Sequence, residues 1–362
     1  MKGRVIVLDE IDGRPAAALM VDGRLQDLVI DPADPDLPRP GAIYRAIAGR
    51  PIKGMGGIFV DLGGGRQGFL KNVKGISAGK PLLVQVTGWP EEDKAPVVST
   101  RLLFKSRLGI VTPGAPGVNV SRQVKGHEER DRLEEIGVGI LGDLADSERL
   151  GLILRSAAAG EDTEVIVEEL ERLVDLARKV LAEKAGAGPE LLLAAPDAHT
   201  FAWSEWSVPA PDEVIERPDA FAAEGVIEEI EKLARPEVPI GLGASLVIEP
   251  TTALVAVDVN TGGDASPAAG LKTNLRAARE LPRQLRLRGL GGQIVIDMAP
   301  MPKKDRKALE DALRAALRTE GIDTAVLGWT HLGHLELQRR RERMPLHRTG
   351  LFEALGILPP GC

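Results

Sequence analysis

The chain has 362 residues, of which 43% are hydrophobic and 27% charged, with a net charge of −7 and one cysteine. That is enough globular sequence for two or three domains, and its net charge argues against indiscriminate nucleic-acid binding through bulk charge while leaving room for a local basic groove. Cys362 alone excludes an intrachain disulfide or a multi-cysteine zinc cage within one chain, and no apolar run approaches the roughly 18 residues of a membrane span, so a cytoplasmic protein is expected.

Residues 2–30 read as short alternating strands with turns at Asp12-Gly13 and Asp22-Gly23, the edge of a sheet completed elsewhere. The connector DPADPDLPRPG, residues 31–41, marks a boundary. From 42 to about 100, short strands between glycine-rich turns suggest a small closed antiparallel barrel of the OB type. The chain has six Phe and one Tyr, yet Tyr44, Phe59 and Phe69 fall close together here. Phe59 and Phe69 flank a glycine hairpin and either stack bases or fill the barrel core; Lys53, Arg66, Lys71 and Lys94 supply nearby positive charge.

The strand LGIVTPG follows, then a segment with a helical second half, then the strand GLILRSA. Arg155-Ser156, at the end of that strand, offers a guanidinium and a hydroxyl to a phosphate, or is an ordinary paired charge. The next helix carries a stripe of Val165, Leu170, Leu173, Leu176 and Leu181. A strand ELLLAAP, a polar segment with Trp203 and Trp206, a helix and the strand ASLVIEP lead to residue 253; the order suggests one interrupted domain built from residues 1–30 and 189–260.

Residues 253–301 hold two apolar strands, each with one aspartate. Alternation puts Val255, Val257 and Val259 on one face, with Asp258 and Asn260 on the other, and Asp297 ends the second strand. Carboxylates at the ends of buried strands need a partner, so the pair either shares a metal or caps turns and meets arginines. Between them a helix is expected from about Thr273 to Gly289, with Leu275, Ala278 and Leu285 inward and a kink at Pro282. Its Arg276, Arg279, Arg283, Arg286 and Arg288 either meet an RNA backbone or keep the helix solvated. A further helix, a strand AVLGW, the basic segment HLELQRRRERM and a tail of no clear role complete the chain.

TNLRAARELPRQLRLRGLGGQIVIDM resembles the signature segment of the ribonuclease E/G family, and VDVNTGG resembles its first metal-binding strand. In the same order, GGIFVDLGGGRQGFL resembles that family's S1 RNA-binding module, VSRQVKG its next turn, GLILRSAAAG its 5′-phosphate sensor strand and HLELQRRRERMPL the end of its catalytic core. The resemblance implies a multidomain α/β fold: a ribonuclease H-like domain of residues 1–36 and 186–268, an S1/OB-type barrel at 37–102, a 5′-sensor subdomain at 103–185, a DNase I-like catalytic subdomain at 269–345, and a tail at 346–362.

It also implies a Mg²⁺-dependent endoribonuclease acting on single-stranded RNA in processing or decay, including rRNA maturation. Asp258 and Asp297 would ligate the metal beside Asn260. Phe59, Phe69 and Lys94 would grip RNA, and Ile110, Arg155, Ser156 and His331 would form a 5′-monophosphate pocket. Departures from the family pattern are a short loop after Asn260, Met298-Ala299-Pro300 after Asp297, Pro282, His331 in place of a basic residue, and no Cys-Pro-x-Cys zinc link. A homo-oligomer would then be built without that link. The alternative is an RNA-binding regulator or RNA-folding factor with lost or feeble cleavage.

Overall fold

The computed structural model describes residues 2–52, 54, 56–71, 75–90, 94–263 and 268–357. Lys53, Cys362 and part of the loop after Asn260 lie outside the described residues. The chain divides into two compact units, residues 1–35 with 212–362, and residues 36–211. Among the described residues no helix is long and apolar enough to cross a membrane.

In the first unit, Arg4–Ile11, Arg14–Val21 and Arg24–Ile30 form an antiparallel meander, and Glu213–Glu216 pairs parallel with the first of these strands. Both tight turns are as expected: Asp12, Gly13, Asp22 and Gly23 all have positive φ, the twist that two-residue hairpins require. Val5, Val7, Ala18 and Met20 pack against Phe221, Val226 and Ile230, and against Leu346, Leu351 and Phe352 of the C-terminal segment. The tail, as far as Ile357, is thus part of this core. The segment expected as one helix from 220 onward breaks at Gly225, φ 72°, into Ala220–Ala223 and Val226–Leu233, and its end becomes the strand Glu237–Gly241.

The same unit holds a six-stranded sheet in the order Glu237–Gly241, Ala244–Pro250, Val255–Asn260, Gly292–Asp297, Leu335–Arg339, Thr324–Trp329. Its central pair, Val255–Asn260 and Gly292–Asp297, is parallel, and the crossover between them is the helix Ala269–Leu287. The expected division at residue 268 therefore falls inside one sheet, because the strand Val255–Asn260 is hydrogen-bonded on both sides within it.

Helix Ala269–Leu287 starts one turn earlier than expected and continues through Pro282 as one helix. Ala277, Ala278, Leu281 and Leu285 are its buried face, and Gly289, φ 65°, follows its end where a Cβ would meet Met344 O at 2.0 Å. Its last three arginines serve the fold: Arg283 donates to Leu25 O, Arg286 Nη2 to Gln26 O at 2.7 Å, and Arg288 Nη1 and Nη2 to Leu233 O and Arg235 O, each at 2.8 Å. Burial pulls the Arg288 guanidinium down to about 10, still charged at neutral pH. Arg339, from the basic segment HLELQRRRERM, is fully buried and bound bidentately by Glu320 at 2.7 and 2.9 Å.

In the second unit, Ile43–Ile52, Gly57–Gly63, Arg66–Lys71, Val97–Ser99 and Pro81–Val86 close into a five-stranded barrel. Its core is Tyr44, Ala46, Ile58, Val60, Leu70, Val84 and their neighbours. Strand Glu190–Leu193 pairs with Ile43–Ile52 of the barrel rather than with the N-terminal meander, and Arg45 anchors it by donating to Gly188 O at 2.8 Å and pairing with Glu190. A second sheet runs Gly117–Val120, Leu150–Leu154, Gly109–Pro113, Phe104–Lys105. Helix Thr163–Ala182 covers it with Ile166, Leu170, Leu173, Val174, Ala177 and Val180, so Val165 and Leu176 of the expected stripe face solvent.

Candidate functional site

The parallel pairing puts Asp258 directly opposite Asp297, at the carboxyl ends of adjacent strands. Ligands of open α/β sheets bind at such ends. Val257, Val259, Ile294 and Ile296 are buried while Asp258 and Asp297 are exposed, so the pleat alone turns both carboxylates to the same solvent-facing edge. Asn260 donates Nδ2 to Asp258 Oδ2 at 2.9 Å. His334 Nε2 lies 3.9 Å from Asp297 Oδ1. The sequence reading assigned nothing to His334; it belongs to the turn before Leu335–Arg339, and only the pairing of that strand with Gly292–Asp297 brings it here. His331 lies in the same turn and is exposed.

The chain after Asp297 is held rigidly. Asn274, fully buried on the crossover helix, donates Nδ2 to Ala299 O at 2.9 Å and accepts from Ala299 N at 3.0 Å. Gly270 lets the helix close on Pro300, whose carbonyl oxygen would lie 1.9 Å from a Cβ there. Met298 and Ala299 are buried in the same core, which gives the unusual Met-Ala-Pro segment its role. Among the described residues, no group of three or more His, Cys, Asp and Glu side chains converges as a metal cage.

On the barrel, Phe59 and Phe69 are cross-strand partners with ring centroids 5.3 Å apart and planes at 57°. Their neighbours Ile58, Val60 and Leu70 fill the core, so alternation places both rings on the outer, half-buried face. Gly57 makes room for this pair, since a Cβ there would meet the Phe69 ring at 2.7 Å. Lys94 is exposed in the connection before Val97–Ser99.

In the smaller sheet, Ile110 pairs with Ile153, and Arg155 follows at the end of the same strand. Arg155 is firmly engaged: Nη1 donates to Ser106 O at 2.8 Å and Ser204 Oγ at 3.2 Å, and Nη2 to Glu205 Oε2 at 2.7 Å. Ser156 Oγ donates to Gln123 Oε1 at 3.1 Å. Glu205 and Gln123 are thus partners that the sequence reading did not find. Glu129 braces the loop beyond, accepting from Gly160 N at 2.9 Å and from Arg132. The Arg132 hydrogen bonds, helped by that of Gly160, hold the Glu129 carboxyl down to about 2.

These features define a mixed α/β protein that combines a closed barrel bearing an outward ring pair with a sheet edge bearing two register-matched aspartates. The chain belongs to the Ribonuclease E/G family, whose model matches residues 104–217 and 209–342. Ribonuclease E of Nostoc sp. is 27% identical over an alignment 402 positions long, covering 96% of this chain and 56% of that protein. Ribonuclease G of Escherichia coli is 28% identical, covering 84% of this chain and 73% of its own length, and ribonuclease E of the same organism is 28% identical over 89% of this chain and 35% of its own. The chain spans just over half the length of the first of these relatives.

Proposed function

We propose that this chain is a metal-dependent endoribonuclease that cuts single-stranded RNA in RNA processing or decay. The observation that carries the reading is the pairing of Asp258 with Asp297, two exposed carboxylates side by side at parallel strand ends. Their donor set fits a hard divalent cation such as Mg²⁺, which takes one or two carboxylates and keeps several waters, so a cage of further side chains is not required. When bound, such a cation supplies an activated water and offsets charge developing on the phosphate. The residues of the chain do the placing: Asn260 orients Asp258, the His334 imidazole flanks Asp297, and Asn274 fixes the backbone that follows.

In this reading Phe59 and Phe69, with Lys94, hold unpaired bases, and Ile110, Arg155 and Ser156 serve recognition of a 5′-monophosphate. The N-terminal meander with its helices would be the ribonuclease H-like part, and the sheet around Asp258 and Asp297 the DNase I-like part. The test is cleavage of a 5′-monophosphorylated single-stranded RNA with and without Mg²⁺, beside Asp258→Asn and Asp297→Asn. Wild type cuts only with metal, and either variant binds without cutting. Wild type that shifts the RNA on a gel yet leaves it as intact as the variants do overturns the nuclease reading in favour of an RNA-binding regulator.

A further inference from the structure

Arg306 opens the helix Arg306–Glu320, and its guanidinium carbon sits 4.1 Å from the centroid of the Trp329 ring. The indole is fixed, because Trp329 Nε1 donates to Glu310 Oε1 at 2.8 Å, while the other oxygen of Glu310 pairs with Arg314, also at 2.8 Å. Glu310 is thereby committed elsewhere. Among the described residues no carboxylate pairs with Arg306, and its Nε is buried without a hydrogen-bond partner. The other end of the guanidinium leans on the turn that follows Trp329, where Arg306 Nη2 would be 3.7 Å from a Cβ on Gly333. The next residue is His334, which meets Asp297. Arg306 thus approaches the residue that precedes His334, and His334 in turn lies near Asp297.

Arg306 differs from the arginines that brace this unit. Arg283, Arg286, Arg288 and Arg339 spend their donors on backbone carbonyls or carboxylates. A guanidinium whose flat face rests on an indole is held in orientation, yet its edge N–H groups still need an acceptor in its own plane. A phosphate diester offers two such oxygens and the compensating charge. Exposed Lys303, Lys304 and Lys307 are its neighbours in sequence, with Asp305 among them.

We propose that Arg306 is an RNA-phosphate-binding residue: stacked on Trp329, it receives a backbone phosphate of the strand that lies along the Asp258–Asp297 edge. This assignment rests on the reading of the chain as an RNA-binding ribonuclease and adds to it a phosphate contact beside the carboxylate pair.

The test is binding of a single-stranded RNA by the full chain in chelator, so that nothing is cut, followed by fluorescence anisotropy over a salt series. Arg306→Gln weakens binding about 3- to 10-fold and lowers the slope of log affinity against log salt by about 0.7 to 1, the loss of one phosphate contact. Arg306→Lys keeps the slope and loses only part of the affinity, since the charge remains while the planar fork does not. In cleavage assays Arg306→Gln raises KM more than it lowers kcat. Wild-type affinity and slope in Arg306→Gln overturn the assignment. So does an equal fall in binding and in melting midpoint for both variants, which makes the residue structural. A wild type that binds no RNA overturns the parent reading instead.

Discussion

Asn274 holds Ala299 at both its N–H and its carbonyl, and so fixes the chain two residues beyond Asp297 from the helix that connects the two aspartate strands. The side chain is fully buried, and the two backbone groups have no water to fall back on. Asn274→Ala should cost about 1–3 kcal/mol, the penalty of an orphaned buried group, as a lowered urea midpoint. Cleavage should fall further than RNA binding, because Asp297 loses its backing while the barrel does not. A variant with wild-type stability would show that Ala299 finds other partners.

Phe59 and Phe69 lie on the outer face of the barrel, and removing both rings should therefore act on RNA more than on the fold. Stacking is worth about 1–3 kcal/mol per base, so Phe59→Ala with Phe69→Ala should weaken single-stranded RNA binding by about 10- to 100-fold. The ring pair itself contributes about 0.5–1.5 kcal/mol, which sets the expected loss of stability. Collapse of the cooperative melt would instead assign the rings to the core.

What was legible in the sequence was local. Period-2 alternation put Val255, Val257 and Val259 against Asp258 and Asn260, because only one side of that strand can be wet. The two Asp-Gly turns and the barrel strands were equally plain. Partners distant in sequence were not. The arginines of helix Ala269–Leu287 look like an RNA-facing row, yet Arg283, Arg286 and Arg288 end on carbonyls near residues 25 and 233, which no charge pattern announces. Val165 and Leu176 joined the wrong stripe because an apolar helix allows more than one phase, and the Ile166–Val180 phase won by meeting the sheet. His334 carried no motif; it became a site residue only through strand pairing.

Arg155 already has a carboxylate partner, so any phosphate that binds there competes with Glu205. Glu205→Gln removes the competing charge while leaving an oxygen for the same donor. The variant should prefer 5′-monophosphate over 5′-hydroxyl RNA more strongly than wild type does, by about 2- to 5-fold for a partly exposed pair. Arg155→Ala should lose any such preference. Equal rates on both ends in wild type and in Glu205→Gln would show that this strand end recognises no phosphate.

Acid should loosen the same region through Glu129. Its carboxyl is held at about 2, well below its ordinary 4.5, chiefly by the Arg132 guanidinium and then by the Gly160 N–H. A group depressed in the folded state binds its proton later there than in the unfolded chain, so unfolded chains take up the proton first as pH falls. The stability it contributes is complete above 4.5 and is lost as pH drops from there through about 2. Glu129→Gln has no carboxylate to take up that proton. Urea midpoints of wild type and Glu129→Gln should therefore differ most above 4.5 and converge towards 2, and parallel curves across that window would exclude the linkage. Because Gly160 ends the loop that begins at Arg155 and Ser156, hydrogen exchange of its amide should accelerate over the same window in wild type.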